Sequence, residues 1–149
     1  MSDAVAAFSN AQIGMLPGVL ALEWIDLRSG FAHGRFTVGK QHLAPNGYLH
    51  AAAVVALADT ACGYGCVMSL PEGVGGFTTL ELKTDFIGTT LAGVVSCEAR
   101  LLHGGRTTQI WDAAVKSEAA GKTIALFRCT QMLLSKKRAA RENRPPFRS

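Results

Sequence analysis

The sequence predicts an α+β domain in which a curved antiparallel β-sheet wraps one long central helix at about residues 50–68. Two observations predict it. From His50 to about Met68 the chain has no proline, much alanine and no regular alternation, so it reads as a helix apolar nearly all round, which must be covered on every side. Around it lie segments of strand-like alternation, and helices and strands are segregated along the chain rather than interleaved. One curved sheet would cover most of such a helix, and a partner subunit could cover the rest.

Taken in order, Asp3 to Met15 carries Ala4, Val5, Phe8, Gln12 and Met15 at helical spacing and predicts a short N-terminal helix stopped by Pro17-Gly18. Val19 to Leu27 and Phe31 to Val38 predict a hairpin turning at Arg28-Ser29-Gly30. Gln41 to Tyr48 is a loop rich in turn formers, and Pro71-Glu72-Gly73 ends the long helix. Gly76 to Ile87 alternates around Phe77, Thr79, Glu81 and Lys83. Ala92 to Leu102 puts Val95, Cys97, Ala99 and Leu101 on one face. A turn at His103 to Arg106 leads into Thr107 to Ser117, and the turn at Ala119-Ala120-Gly121 into a last strand, Thr123 to Leu134. Residues 1–134 are thus expected to form one domain, followed by a basic tail over 135–149.

Of the net charge of +4, the tail alone contributes six basic residues (Lys136, Lys137, Arg138, Arg141, Arg144 and Arg148) against Glu142, which leaves the domain close to neutral. A basic tail can meet phosphates, a membrane surface or nucleic acid, or simply be solvated. No helix-turn-helix accompanies it, which argues against sequence-specific DNA binding. The N-terminus lacks the basic start and apolar stretch of a signal peptide, and Asp59 interrupts the one segment near membrane-spanning length; the expected location is the cytoplasm. The four cysteines, Cys62, Cys66, Cys97 and Cys129, form no C-x-x-C pair and read as reduced core thiols rather than a disulfide or zinc site.

Asp59 is the sharpest chemical signal. An unpaired carboxylate among Val55, Ala56, Leu57, Ala58, Ala61 and Cys62 is costly unless it faces a polar cleft, a partner or a substrate, or is satisfied by backbone amides or a hydroxyl such as that of Thr60. His50 stands at the helix start, where the dipole disfavours a charged imidazole; it reads as a cap or loop anchor, with a general base as the weaker reading. The first amides of the helix, near Ala51 and Ala52, can polarise a carbonyl oxygen. Nine residues separate His50 from Asp59, roughly 13–14 Å along the axis and on opposite sides. The two cannot act on one substrate within one chain. Two antiparallel copies of the helix would bring the start of one near the acid of the other, so a catalytic Asp59 implies at least a dimer.

The segment LAPNGYLHAAAVVALADTACGYG resembles the signature of hotdog-fold acyl-CoA thioesterases of the phenylacetic-acid-degradation and 4-hydroxybenzoyl-CoA thioesterase type, with Gly47, His50 and Asp59 at matching positions. GFTTLELKTDFIGT, GGRTTQIWDAAV and ALFRCTQMLL also resemble that family, so the likeness runs from about Leu20 to Leu134. Two departures stand out: Ala44 where the family carries Asn or Gln, and Ala51-Ala52 where it carries Gly-Gly. The hydroxyl that one branch carries four residues after the acid is here Gly63.

The resemblance implies hydrolysis of acyl- or aryl-CoA thioesters to the free acid and CoA. It implies Asp59 as nucleophile or general base, the Ala51 amide on the thioester carbonyl, and His50 orienting the loop. Asn46, Gly47 and Gly63 would lie at the substrate, Asn46 as a possible stand-in for the missing Asn. It further implies CoA along a subunit interface, with its pantetheine arm beside Gly76 to Lys83 at Thr78 and Thr79, and phosphate contact near Arg106. No metal or cofactor is needed beyond the CoA of the substrate, and a homodimer, assembled into a homotetramer, is expected. The competing readings are a non-catalytic acyl-CoA-binding protein, kept open by Ala44, and an enoyl-CoA hydratase, whose D-x-N-P-x-x-x-H-like stretch is not found.

Overall fold

The computed structural model describes residues 1–137. The chain runs through α1 (Asp3–Ala11), α2 (Leu16–Val19), β1 (Glu23–Arg28), β2 (Phe31–Thr37), a 3-10 turn (Lys40–His42), α3 (Ala51–Met68), β3 (Val74–Phe86), β4 (Val94–Gly104), β5 (Thr108–Ser117) and β6 (Lys122–Ser135). The strands form one antiparallel sheet in the order β1-β2-β4-β5-β6-β3, and α3 packs against its inner face. This is the expected α+β hotdog arrangement.

The sequence boundaries needed four corrections. The N-terminal helix ends at Ala11 rather than Met15, because Gln12 turns inward: its Nε2 donates to the Leu22 carbonyl (2.7 Å), and its Oε1 accepts from Trp24 Nε1 (2.8 Å) and the Tyr64 hydroxyl (3.2 Å). Pro17 then opens the short α2, since proline suits the first turn of a helix, and the first strand starts at Glu23 instead of Val19. In β3 a register shift between Thr79 and Glu81 breaks the alternation: Phe77 and Thr79 pair with inward-facing Leu133 and Gln131, whereas Glu81 and Lys83 pair with outward-facing Thr130 and Arg128. His103 and Gly104 belong to β4, so the following turn is residues 105–107.

The core is built around α3, where Leu57, Ala58, Ala61, Cys62 and Cys66 are fully buried against Phe36, Val95, Trp111 and Val115. Its small residues let the sheet approach closely. A Cβ on Gly65 would lie 2.6 Å from the Trp111 ring, which is itself fully buried and tied to Gln109 Oε1 through Nε1 (2.8 Å). Gly65→Ala therefore gains helix propensity of about 1 kcal/mol but overpacks a ring with nowhere to go. We expect a net loss on the order of 1–3 kcal/mol, measured by denaturant unfolding. All four cysteines are buried and free, and burial pushes the thiols of Cys66 and Cys97 up to about 12, so they are inert core groups. By length and hydropathy α3 would pass for a membrane span, but it is the core helix the sheet wraps.

β3 closes one edge of the sheet. Its 13 residues pair, among the described residues, only with β6, and Leu80, Leu82 and Phe86 are 56%, 42% and 48% exposed. A long apolar edge with a free ladder of backbone groups is a site for pairing with another strand. The last strand ends at Ser135; of the expected basic tail, residues 138–149 lie outside the described residues.

Candidate active site

Asp59 lies on the α3 face that also carries Ala52, Ala56 and Gly63, a face the sheet covers only in part. The carboxylate is half-buried. Its Oδ1 is sealed from solvent with no hydrogen-bond partner, and among the described residues Asp59 forms no hydrogen bond or salt bridge. Neither Thr60 nor a backbone amide satisfies it. Desolvation, uncompensated by any donor, raises its pKa above the ordinary aspartate value. A native fold leaves few buried polar atoms unpaired, and among the described residues Asp59 Oδ1 shares that state only with Thr84 Oγ1.

At the start of the helix, His50 is the N-cap of α3. Its Nδ1 accepts from the Ala52 amide (2.9 Å), its carbonyl accepts from the Ala53 amide (3.0 Å), and its own amide donates to the His42 carbonyl (2.8 Å). The cap reading of His50 is therefore realised. The expectation of two available amides narrows to one: Ala52 is used by the cap, while the Ala51 N–H has no partner among the described residues and stands at the positive end of the helix.

The loop before α3 is a tight turn. Gly47 donates to the Ala44 carbonyl (2.9 Å) at a φ of +86°, and Ala44 donates to the Tyr48 carbonyl (2.7 Å). Glycine at position 47 serves that left-handed backbone. Asn46 Oδ1 accepts from the Tyr48 amide (3.1 Å), so its carbonyl is occupied within its own turn.

His42 was not singled out from the sequence. It is completely buried and stacks on Phe36, with ring centroids 4.2 Å apart. Gly39 donates to its Nδ1 (2.9 Å), and its Nε2 donates to the Leu20 carbonyl (2.6 Å). It thus ties the loop, and through its own carbonyl His50, to α2. No periodicity marks a lone histidine in a loop, so the sequence carries no signal for this role.

The remaining candidates divide between the two faces of the sheet. Gly63 lies beneath Phe77, whose ring would be 3.1 Å from a Cβ there. Thr79 faces inward and donates to Gln131 Oε1 (2.8 Å). Thr78 pairs with Met132 and points to the outer face, so the two threonines expected beside the substrate arm stand on opposite faces of β3. Arg106 is exposed in the β4–β5 turn and forms no ion pair among the described residues. Its turn lies at the sheet end where Thr108, Met132 and Thr78 stand in one cross-strand row. Within one chain, Asp59 and Ala51 stay eight residues apart on α3, about 12 Å along the axis.

A cavity of about 260 Å³ opens beside the start of α3, lined by Leu16, Leu20, Leu43, Ala52, Ala53 and Ala56, with His50 and Gln41 as its polar members. A larger concavity of about 510 Å³ lies on the outer sheet face. Its charges are paired with one another, Arg128 with Asp112 (2.7 Å) and Arg100 with Glu98 (2.9 Å), and it is remote from Asp59. Among the described residues no group of three or more His, Cys, Asp or Glu is placed to hold a metal ion.

The family model of the thioesterase superfamily matches residues 46–124, which includes the whole of α3. The chain is 29% identical over 124 residues to the 1,4-dihydroxy-2-naphthoyl-CoA hydrolase of Listeria monocytogenes, covering 83% of this chain and 98% of that one. It is similar to the PaaI protein of the Escherichia coli phenylacetic acid degradation operon, with 26% identity, a TM-score of 0.75, and 90% and 96% of the two chains covered. A variant of the thioesterase PA1618 of Pseudomonas aeruginosa shares the fold, at a TM-score of 0.83 and 21% identity over 91% and 96% of the chains. With the wrapped helix, the lone acid on it and the matched segment all in one place, the chain belongs to the thioesterase superfamily and is a thioester hydrolase of the hotdog fold.

Proposed function

We propose that the protein hydrolyses acyl-CoA thioesters to the free acid and CoA at sites shared between two subunits. The observation that carries this reading is the unpartnered, half-buried carboxylate of Asp59 on an incompletely covered helix face. The thioester carbonyl accepts from the Ala51 N–H, whose place at the helix start suits the charge that develops on that oxygen. Asp59 of the partner subunit acts on the carbonyl carbon, either by activating water or by direct attack. In the first case the carboxylate takes a proton from water as its oxygen adds to the acyl carbon, and passes it to the thiolate as the C–S bond breaks; in the second the carboxylate displaces the thiolate to give an acyl anhydride, which water then hydrolyses to the free acid. His50 positions the Ala51 amide through its cap and through His42. The carboxylate, the amide and water carry this chemistry without a metal or cofactor.

The exposed β3 edge supports dimerisation, because pairing it with a second copy would satisfy its backbone and cover Leu80, Leu82 and Phe86. The tetramer expected from the resemblance is a further pairing of such dimers. Arg106 at the exposed sheet end is the candidate for a CoA phosphate, and the basic tail would add to it. Four free thiols accord with the reducing cytoplasm.

A thiol-release assay over acyl- and aryl-CoAs tests the activity, and light scattering tests the assembly. We expect release of CoA and at least two copies per particle. Tight CoA-ester binding without release would turn the assignment to a binding protein, and enoyl-CoA turnover without release to a hydratase. A stable monomer that retains full activity would overturn the shared site.

A further inference from the structure

Resting on Ala51 as the carbonyl-binding amide, we infer that the cavity between α2 and the start of α3 receives the acyl group, and that Leu16 and Ala56 set its length. Ala52 and Ala53, which immediately follow Ala51, both line this cavity. A carbonyl held at the Ala51 N–H therefore has its acyl substituent at the cavity mouth. Six of the lining side chains are apolar and none is acidic, so the site suits an uncharged hydrocarbon or aryl group. At about 30 Å³ per water-sized group, 260 Å³ holds roughly eight or nine such groups. That matches a medium-chain acyl group of about eight carbons or an aryl group of one or two rings, while longer chains extend past the rim.

The wall formed by α2 is built rather than loose. Two left-handed residues bracket it, Gly14 at φ +76° and Ala21 at φ +52°, the latter a strained conformation for a residue with a Cβ. The fully buried His42 donates to the Leu20 carbonyl at the end of α2 (2.6 Å). Gly18 lies against the backbone of Gln12, where a Cβ would fall 2.3 Å from the carbonyl oxygen. These restraints hold Leu20 in the wall and leave Leu16, 65% exposed, at the rim. Ala56 lies one turn deeper along α3 than Ala52.

The test is kcat/KM over straight-chain acyl-CoAs from acetyl to palmitoyl, with benzoyl- and naphthoyl-CoA, for the native protein, Leu16→Ala and Ala56→Phe. The affinities of the matching S-alkyl-CoA thioethers are measured alongside by calorimetry. Each buried methylene is worth roughly fourfold. We expect the native preference to peak near eight carbons, and Leu16→Ala to move the peak to longer chains with at least a tenfold gain on palmitoyl relative to acetyl. Ala56→Phe should lose at least tenfold on octanoyl relative to acetyl. If Ala56→Phe does not fold, Leu16→Ala, at an exposed side chain, carries the test alone. A chain-length profile unchanged by these variants, on thioesters the native protein does hydrolyse, overturns the pocket and leaves the proposed hydrolysis standing. If the native protein releases no thiol, the proposed function fails, and the thioether affinities then decide the pocket: a length dependence that shifts with Leu16 supports it, and a flat profile overturns it.

Discussion

Replacing Asp59 by Asn lowers kcat for thioester hydrolysis by about 10²–10⁴-fold while making the folded protein more stable. The two effects have one origin. The carboxylate is half-buried with no donor to balance its desolvation, so its ionised form works against the fold. An aspartate whose pKa rises on folding contributes stability that is fully present below its unfolded pKa and lost as pH rises through its folded pKa. At neutral pH the native protein has lost that contribution, and the Asn variant has no such titration. We expect a gain on the order of 1 kcal/mol, or roughly 2–4 °C in Tm for a domain of this size. Thermal unfolding of both proteins as a function of pH checks it, with the difference shrinking as the pH falls through the raised pKa. In the native enzyme the acid limb of the kcat profile should lie above the usual carboxylate range, because the active form is the ionised one. A variant both inactive and destabilised at neutral pH would contradict this account.

Ala51→Pro tests the other half of the site. Proline is well tolerated at the first helical position, and His50 before it has φ −71° and ψ 134°, the extended conformation that a residue preceding proline prefers. The substitution removes only the N–H that has no partner among the described residues, so stability should change little. Loss of one donor to the reacting oxygen should lower kcat by about 10²–10³-fold. Ala51→Gly keeps the amide and should retain activity. Circular dichroism with thiol-release kinetics separates the outcomes, and full activity in Ala51→Pro would remove the Ala51 amide from the mechanism.

Much of this was legible in the sequence, for physical reasons. A long proline-free run rich in small residues with a single acid can only be a covered helix, and α3 begins one residue after the expected start. The alternation of Val95, Cys97 and Ala99 fixed the inward face of β4 because one face of that strand is buried. What escaped depends on tertiary contacts. The register shift between Thr79 and Glu81 leaves no mark in the residue pattern, and it turned Glu81 and Lys83 to the opposite face from Thr79. Pro17-Gly18 reads as a helix stop, yet the proline opens α2, and a segment of four residues offers no period to detect. His42 and the Ala52 amide became informative only once their hydrogen bonds were known. The separation of Asp59 from the helix start was readable, as that from His50, from helix geometry alone, and it is the reason the proposed site is shared between two subunits.

The most direct measurement of that sharing is complementation between two inactive subunits. Asp59→Asn and Ala51→Pro chains, each inactive alone, are co-expressed and the mixed population is assayed for thiol release. If each site takes its acid from one chain and its amide from the other, a hybrid dimer contains one intact site of two. Random pairing should then restore roughly a quarter of native activity. Activity no higher than that of the separate variants, in a population shown to contain hybrids, would mean that Asp59 and Ala51 do not meet across an interface.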